Sequence, residues 1–149
     1  MRSNTEGEIH LTDPSTPVAK QRPRFTKIGN FVRTYDLQEN LMVGKKYMFA
    51  AQMREKGLKT FEKGPIEMEL YVYLPQPKID AKKTFKLGID PETLLHFKKP
   101  DADNFQKLYC DVLNGIAYHD DSQIAIIHCE KRYSSNPRAE IFIKKIGEE

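Results

Sequence analysis

The sequence predicts an α+β domain in which a mixed sheet of four to six strands packs against two main α-helices. Three observations predict this fold. The 149 residues suit one hydrophobic core, apolar residues alternate at period two over 66–74, and apolar residues recur at helical spacing over 36–56 and 103–113. We therefore expect residues 1–149 to form a single domain.

The N-terminal third is predicted to be partly sheet. A short strand over 8–11 ends at the turn residues Asp13–Ser15. Two further strands, over 24–27 and 31–35, flank Gly29–Asn30, and both of these residue types tolerate the positive φ of a tight turn. The strands over 24–27 and 31–35 are therefore expected to form a hairpin with each other.

The first helix is predicted from Asp36, a natural N-cap, to Lys56, directly before the helix-ending Gly57. Its apolar residues recur at steps of four and three, and they are Leu37, Leu41, Gly44, Met48 and Ala51. Lys45 falls away from this stripe, on the polar side. The pattern is typical of an amphipathic helix with one face on the core.

The middle of the chain combines a clear strand with an irregular segment. Ile66–Leu74 alternates apolar and polar residues, as a strand with one buried face does. Residues 75–98 are rich in lysine and proline and show no periodicity. Such a stretch is either a functional lysine-rich flap or a disordered insertion without a role.

A second helix is predicted from Asp103 to Leu113, ending at Asn114–Gly115. Its apolar face consists of Phe105, Leu108, Tyr109 and Val112, and its polar face carries Asp103, Lys107 and Asp111 at i, i+4 and i+8. Cys110 lies near this polar face, either as a reactive thiol or as a packing residue. Two strands over 123–133 and 138–146 follow, and we expect them to pair as a hairpin.

Composition and charge exclude several classes of protein. Hydrophobic residues make up 39% and charged residues 30%, and no apolar run reaches the roughly 20 residues of a membrane-spanning helix. Met1–His10 has no apolar signal segment, and two cysteines, Cys110 and Cys129, cannot form a disulfide scaffold or a thiolate zinc site. We therefore expect a cytoplasmic protein with reduced thiols and no membrane partner.

The net charge of +3 is weak evidence for a nucleic-acid partner, but its distribution is informative. Residues 18–34 contain five basic residues and no acidic one, namely Lys20, Arg22, Arg24, Lys27 and Arg33. This segment predicts a phosphate-contacting surface. The alternative is a solvated hairpin whose charge only aids solubility.

Five carboxylates between residues 101 and 121 form the densest chemical pattern, and they are Asp101, Asp103, Asp111, Asp120 and Asp121. If Asp101 is extended, its side chain and that of Asp103 point to the same side of the backbone at a helix start. Carboxylates forced together need a cation or a positive helix end, and Mg²⁺ or Mn²⁺ suits such oxygen ligands. The alternative is structural: Asp103 only caps a helix, and Asp120–Asp121 only form a turn.

A family resemblance is carried by the run Lys99-Pro-Asp-Ala-Asp-Asn-Phe-Gln-Lys107, followed by Asp111, Asn114-Gly115 and Asp120-Asp121-Ser-Gln123. These residues resemble the motif of the RusA-type Holliday junction resolvases, small metal-dependent endonucleases of bacteria and their phages. Lys20-Gln-Arg-Pro-Arg24 is similar to the basic entry motif of phage-type members. The resemblance covers about 18–145. Phe105, where an aliphatic residue is usual, and the long segment before the motif depart from the family pattern.

The resemblance implies the residues that would carry the chemistry. Asp101, Asp103 and Asp121 match the catalytic, metal-binding aspartates, Lys107 matches the essential lysine, and Asp120 and Asp111 are supporting candidates. The three aspartates are expected to converge in space around Mg²⁺, or Mn²⁺ in its place, with no small-molecule cofactor. The expected DNA-binding residues are Lys20, Arg22, Arg24, Lys27, Lys82, Lys83 and Lys86.

The resemblance also implies a homodimer that cuts a four-way DNA junction by paired symmetric nicks during recombination and repair. The first helix and the exposed edge of the final hairpin are both candidate dimer surfaces. Two alternatives remain open: a noncatalytic protein that binds branched DNA, and a metal-dependent nuclease for flaps, forks or RNA.

Overall fold

The chain contains both strands and helices in the computed structural model, which describes residues 7–21, 24–35 and 38–147, except for the side chains of 24–26, 31 and 33–35. The elements are β1 (Ile9–Asp13), β2 (Arg24–Ile28), β3 (Phe31–Tyr35), α1 (Glu39–Glu55), β4 (Ile66–Leu74), α2 (Lys78–Lys86), α3 (Ala102–Leu113), β5 (Ile124–Tyr133) and β6 (Arg138–Lys145). Short 3-10 turns cover Pro91–Thr93 and Asp121–Gln123. In the described ranges, no helix is both long enough and apolar enough to cross a membrane.

The main sheet has the order β1-β6-β4-β5. β6 runs antiparallel to both β1 and β4, whereas β5 runs parallel to β4. The predicted α+β fold with a mixed sheet of four to six strands is therefore confirmed. β2 and β3 form the predicted separate hairpin around Gly29, whose φ of +60° suits a residue without a Cβ.

The core lies between one face of the sheet and the helices α1 and α3. The even-numbered residues of β4, from Ile66 to Leu74, are buried, as the period-two pattern predicts. From α3, the core receives its whole predicted apolar face together with Leu113. α3 is thereby fixed with its polar side turned away from the sheet.

The predicted face of α1 is wrong. The buried residues of this helix are Lys45, Phe49 and Met53, while Leu41 and Gly44 of the predicted stripe are exposed. A lysine is accommodated in the core because its ammonium meets a buried carboxylate. The helix begins at Glu39, and the predicted N-cap Asp36 lies outside the described residues, as does Leu37.

The buried carboxylate that meets the Lys45 ammonium belongs to Asp13. This residue was predicted to lie in a turn, but it is the last residue of β1 and is only 1% exposed. Lys45 Nζ lies 2.5 Å from Asp13 Oδ2, and the hydroxyl of Tyr109 donates to the same oxygen at 2.8 Å. Burial raises the pKa of Asp13, but the hydrogen bonds from Lys45, Ser15 and Tyr109 outweigh burial and hold it below its ordinary value. This network joins β1, α1 and α3.

Residues 75–98 are more ordered than an unstructured insertion. They contain α2 and the turn at Pro91–Thr93, and the side chain of Glu92 in that turn accepts from Arg138 Nη1 of β6 at 3.0 Å. Of the α2 side chains only Thr84 is buried. The sequence lacks helical periodicity there because the helix rests on the domain through so little of its surface.

The predicted hairpin of the last two strands is also wrong. β4 lies between β5 and β6, so these sequence neighbours do not pair with each other. Their connection passes over the end of β4, where the amide of Ser134 donates to the carbonyl of Leu74 at 2.8 Å. β5 is consequently a strand at the edge of the sheet.

Candidate active site

The first part of the site lies at the start of α3. Asp101 occupies the N-cap position, and its carbonyl accepts from the amides of Asn104 and Phe105, but its side chain makes no capping bond. Asp101 and Asp103 are both exposed. Among the described residues neither carboxylate has a hydrogen-bond or ion-pair partner, so both are available where the helix end favours negative charge.

The polar face of α3 carries the predicted ladder of acid, base and acid. Burial of Phe105, Leu108 and their neighbours turns Asp103, Lys107 and Asp111 away from the core. Each step of four residues advances about 6 Å along a helix. Lys107 is exposed and forms no salt bridge to another described residue, so its ammonium can meet an incoming anion.

The loop before Asp101 is fastened to β5 by a lysine that the sequence did not single out. Lys131 Nζ donates to the carbonyls of Lys98 at 2.6 Å and Pro100 at 2.7 Å. Two residues earlier in β5, Cys129 Sγ lies 3.9 Å from the carbonyl of Ala102. The strand thereby fixes the position of the acidic helix start. No pattern in the sequence distinguishes Lys131 from the other surface lysines.

The basic N-terminal segment lies against the same helix. The Lys20 amide donates to the Asn104 carbonyl at 2.9 Å, and Lys20 Nζ lies 3.7 Å from Asp111 Oδ2. A cavity of about 490 Å³ is lined by residues 17–21 on one side and by Lys99–Asp101 and Asn104 on the other. Lys20 of the predicted basic segment and Asp101 of the predicted acidic segment therefore line one cavity.

Four of the other predicted DNA-binding residues are exposed lysines, and the two arginines are not described or are described only as backbone. Lys27 is exposed beside the β2–β3 turn, Arg22 lies outside the described residues, and of Arg24 only the backbone is described. Lys82, Lys83 and Lys86 are exposed on α2. Lys20 is already paired with Asp111 and is less than one quarter exposed. Their contacts with DNA stay predictions.

Asp120 has a structural role in the turn before β5. Its side chain accepts from the hydroxyl of Ser122 and from the Ser122 amide, and its own amide donates to Gln123 Oε1 at 2.9 Å. The bond from the Ser122 hydroxyl is the main cause that lowers the pKa of Asp120. Ligation of a metal by Asp120 stays a prediction beside this capping role.

Asp121 is half-buried and lies near the second half of α3. Its charge acts on Cys110 and on Tyr118, whose hydroxyl donates to the carbonyl of Cys110 at 2.6 Å. Asp103 is near the other end of the helix, since the seven residues from Asp103 to Cys110 advance about 10 Å. The carboxylates thus form two groups along α3, rather than one.

The described residues contain no group of three His, Cys, Asp or Glu side chains close enough to hold a metal ion. The expected convergence of Asp101, Asp103 and Asp121 is therefore not found within a single chain. The donors themselves suit a hard divalent cation, because exposed carboxylate oxygens are the ligands that Mg²⁺ and Mn²⁺ prefer. Their assignment as metal ligands stays a prediction.

The two thiols fit a packing role. Burial, and then the charges of Asp121 and Asp111, raises the pKa of Cys110 to about 11, and burial raises that of Cys129 to about 11. At pH 8 both thiols should therefore be protonated. Their alkylation by iodoacetamide should be at least about tenfold slower in the folded protein than in the unfolded chain. Mass spectrometry of the alkylated protein measures this ratio. Rapid alkylation of folded Cys110 would instead identify a reactive thiol beside the site.

The chain is similar to known proteins over most of its length. The model of the family described as endodeoxyribonuclease RusA matches residues 14–144. The chain is also 34% identical over 142 residues to the uncharacterized protein YqaN of Bacillus subtilis (strain 168), across 93% of this chain and 97% of that protein. The matched region contains both groups of carboxylates, Lys107 and the basic segment from Lys20.

Proposed function

Because this chain belongs to the RusA endodeoxyribonuclease family, we propose that it is a Mg²⁺-dependent endonuclease that resolves four-way DNA junctions by paired symmetric nicks. The observation that carries the proposal is the pair of unengaged carboxylates at the start of α3, one of which, Asp101, lines the same cavity as Lys20. We further propose that it works as a homodimer in the bacterial cytoplasm, in DNA recombination and repair, as a phage or prophage member of the family.

The proposed chemistry is hydrolysis of a DNA phosphodiester. Asp101, Asp103 and Asp121 would hold the divalent ion, with Asp120 in support. When bound, such an ion polarises the scissile phosphate, lowers the pKa of a water molecule and stabilises the leaving 3′ oxygen. Lys107 stands one helical turn beyond Asp103 and would offset charge that develops on the phosphate. The basic segment would hold the DNA backbone beside this group.

Lysines on α2 supply a testable part of the proposed DNA surface. The double variant Lys82→Ala, Lys86→Ala removes two exposed charges one helical turn apart. If both contact phosphates, the slope of log affinity against log salt should fall in magnitude by about 2. Fluorescence anisotropy with a labelled junction at several salt concentrations measures the slope.

The matched control is the double variant Lys59→Ala, Lys63→Ala, which removes the same charge from the exposed segment after α1. The control should leave the slope nearly unchanged. Equal slopes for the α2 variant and the wild type would exclude α2 from the DNA surface, while leaving the catalytic proposal open.

A substrate panel separates the proposal from its alternatives. The protein is incubated with a four-way junction, a flap, a fork, duplex DNA, single-stranded DNA and RNA, with Mg²⁺, with Mn²⁺ or with EDTA. We expect nicks in the junction only when metal is present. Shifted complexes without nicks would indicate a noncatalytic binder, and preferred cutting of flaps, forks or RNA would indicate a different nuclease.

A further inference from the structure

The loop before the acidic site holds an aromatic ring out into solvent. Phe97 is 84% exposed and stands four residues before Asp101. Its backbone is nevertheless fixed, because the amide of His96 donates to the carbonyl of Lys131 at 2.8 Å and Lys131 Nζ donates to the carbonyl of Lys98 at 2.6 Å. The ring is therefore presented by an anchored loop that leads directly into the acidic helix start.

A cleft of about 320 Å³ opens beside this ring, between α2 and the end of β5. Phe97 and Tyr133 supply aromatic surface to its lining, and Lys83 and Lys98 supply positive charge. Ligand pockets in proteins have volumes of about 300–1,000 Å³, so this cleft suits one small planar group. Aromatic surface next to basic side chains is the combination that binds a nucleobase together with its phosphates.

The other charges of the lining favour a base over a phosphate inside the cleft. Asp80 of α2 contributes an exposed carboxylate, which repels a phosphate but accepts a hydrogen bond from the exocyclic amino group of a base. Lys83 and Lys98 come from the two elements that border the cleft, so each can meet a phosphate on one side of an inserted nucleotide. The lining thus fits a nucleotide whose base points inward and whose phosphates stay outside.

We propose that this cleft holds a nucleobase that is unstacked at a DNA branch point, with the ring of Phe97 against the face of the base. The proposal rests on the proposed function and adds to it a source of selectivity for branched DNA. Extruding a base from a continuous duplex costs pairing and stacking energy, and this cost is smaller where the stack is already interrupted. Duplex DNA would therefore leave the cleft empty.

The position of the cleft relates the inserted base to the cut. Four extended residues span at most about 14 Å, which limits the distance from Phe97 to Asp101. Successive nucleotides of one strand advance by about 3.4 Å along the duplex axis. The inserted base would therefore lie within about four nucleotides of a phosphate at the acidic site, so that branch recognition and cutting are tied to neighbouring nucleotides.

Phe97→Ala tests the contact with the ring. The affinity for a four-way junction should fall between about fivefold and about a hundredfold, while the affinity for duplex DNA should change by less than about twofold. The slope of log affinity against log salt should stay the same, since no charge is removed. Phe97→Tyr keeps the ring and should bind like the wild type. Anisotropy titrations in EDTA measure these affinities on uncut DNA, and circular dichroism checks that the variants are folded.

Phe85→Ala is the matched control, because it removes the same side chain from an equally exposed position outside the cleft. Phe85 is 87% exposed and lies about 140° around α2 from Asp80. Its removal should leave the ratio of junction to duplex affinity unchanged. Equal losses in the two alanine variants would indicate a general apolar surface and overturn the base site. A wild-type ratio in Phe97→Ala would overturn it as well.

A fluorescent base reports on the inserted nucleotide itself. The base analogue 2-aminopurine becomes brighter when it leaves the stack, and it can replace each base near the branch point in turn. Saturation with wild-type protein should raise the fluorescence at a defined position, and the rise should be lost with Phe97→Ala and kept with Phe85→Ala. A junction in which no position brightens on binding the wild type would contradict insertion of a base.

The outcomes separate the base site from the proposed function. If the wild type cuts junctions but Phe97→Ala binds them equally well, the base site is excluded and the nuclease assignment stands. If the wild type cuts no DNA with Mg²⁺ or Mn²⁺, the proposed nuclease activity fails. The affinity ratio and the fluorescence, both measured without metal, still decide in that case whether the cleft holds a base.

Discussion

Replacing Asp101 by Asn should abolish cleavage of a four-way junction while leaving binding intact. The side chain is exposed at the N-cap of α3 and takes no part in capping, so the change should not disturb the fold. Loss of one metal ligand removes several kcal/mol of transition-state stabilisation, which lowers the rate by about a thousandfold or more. Binding should be equal or tighter, since a charge that repels phosphate is removed.

Single-turnover cleavage rates and anisotropy titrations with Mg²⁺ and with Ca²⁺ measure the two effects separately. Glu55→Gln is the matched control, because it removes one carboxylate charge from an exposed position at the end of α1. Its rate should remain within about twofold of the wild type, as for most surface changes. A comparable rate for Asp101→Asn would remove Asp101 from the proposed catalytic residues.

Asp13→Ala should lower the free energy of unfolding by about 3–5 kcal/mol, the largest stability effect we expect from one polar residue here. The substitution leaves the ammonium of Lys45 buried without its carboxylate and leaves the hydroxyl of Tyr109 without an acceptor. That loss is a large fraction of the 5–15 kcal/mol typical of a domain. Denaturant unfolding followed by circular dichroism measures it.

The same carboxylate predicts how stability depends on pH. Its pKa in the folded protein is below its ordinary value, so its contribution is present above the unfolded pKa of about 3.9 and is lost as pH falls through the lower folded value. The stability difference between wild type and Asp13→Ala should therefore shrink below about pH 4.

Glu67→Ala provides the control for this network. Glu67 also pairs with a lysine, Lys144, at 3.1 Å on β6, but that ammonium is about half exposed. A surface ion pair contributes only about 0–1 kcal/mol. If Glu67→Ala and Asp13→Ala lowered the free energy of unfolding equally, burial of the Asp13–Lys45 pair would not increase its contribution to stability.

The sequence predicted those features that depend on local spacing. Period two placed the buried face of β4, and helical spacing placed the buried and polar faces of α3, because in both cases the pattern repeats within a single element. The two carboxylates near the start of α3 could be placed for the same reason. Their exposure follows directly from the burial of the opposite face of the helix.

What could not be predicted depends on contacts between distant segments. Nothing near Lys45 in the sequence shows that Asp13, from a strand 32 residues away, supplies a buried carboxylate. The sheet order likewise inserts β4 between two strands that are neighbours in the sequence. The position of Asp121 relative to α3 follows from that order, and so no spacing rule could give it.

The cleavage products of a supercoiled plasmid that extrudes a cruciform test the central claim most directly. A cruciform is a four-way junction, and two coordinated nicks on opposite strands convert the plasmid to a linear molecule, whereas one nick gives an open circle. With Mg²⁺ we expect linear product that EDTA abolishes. Plasmid that is bound but uncut with Mg²⁺, or cutting that persists in EDTA, would contradict the account.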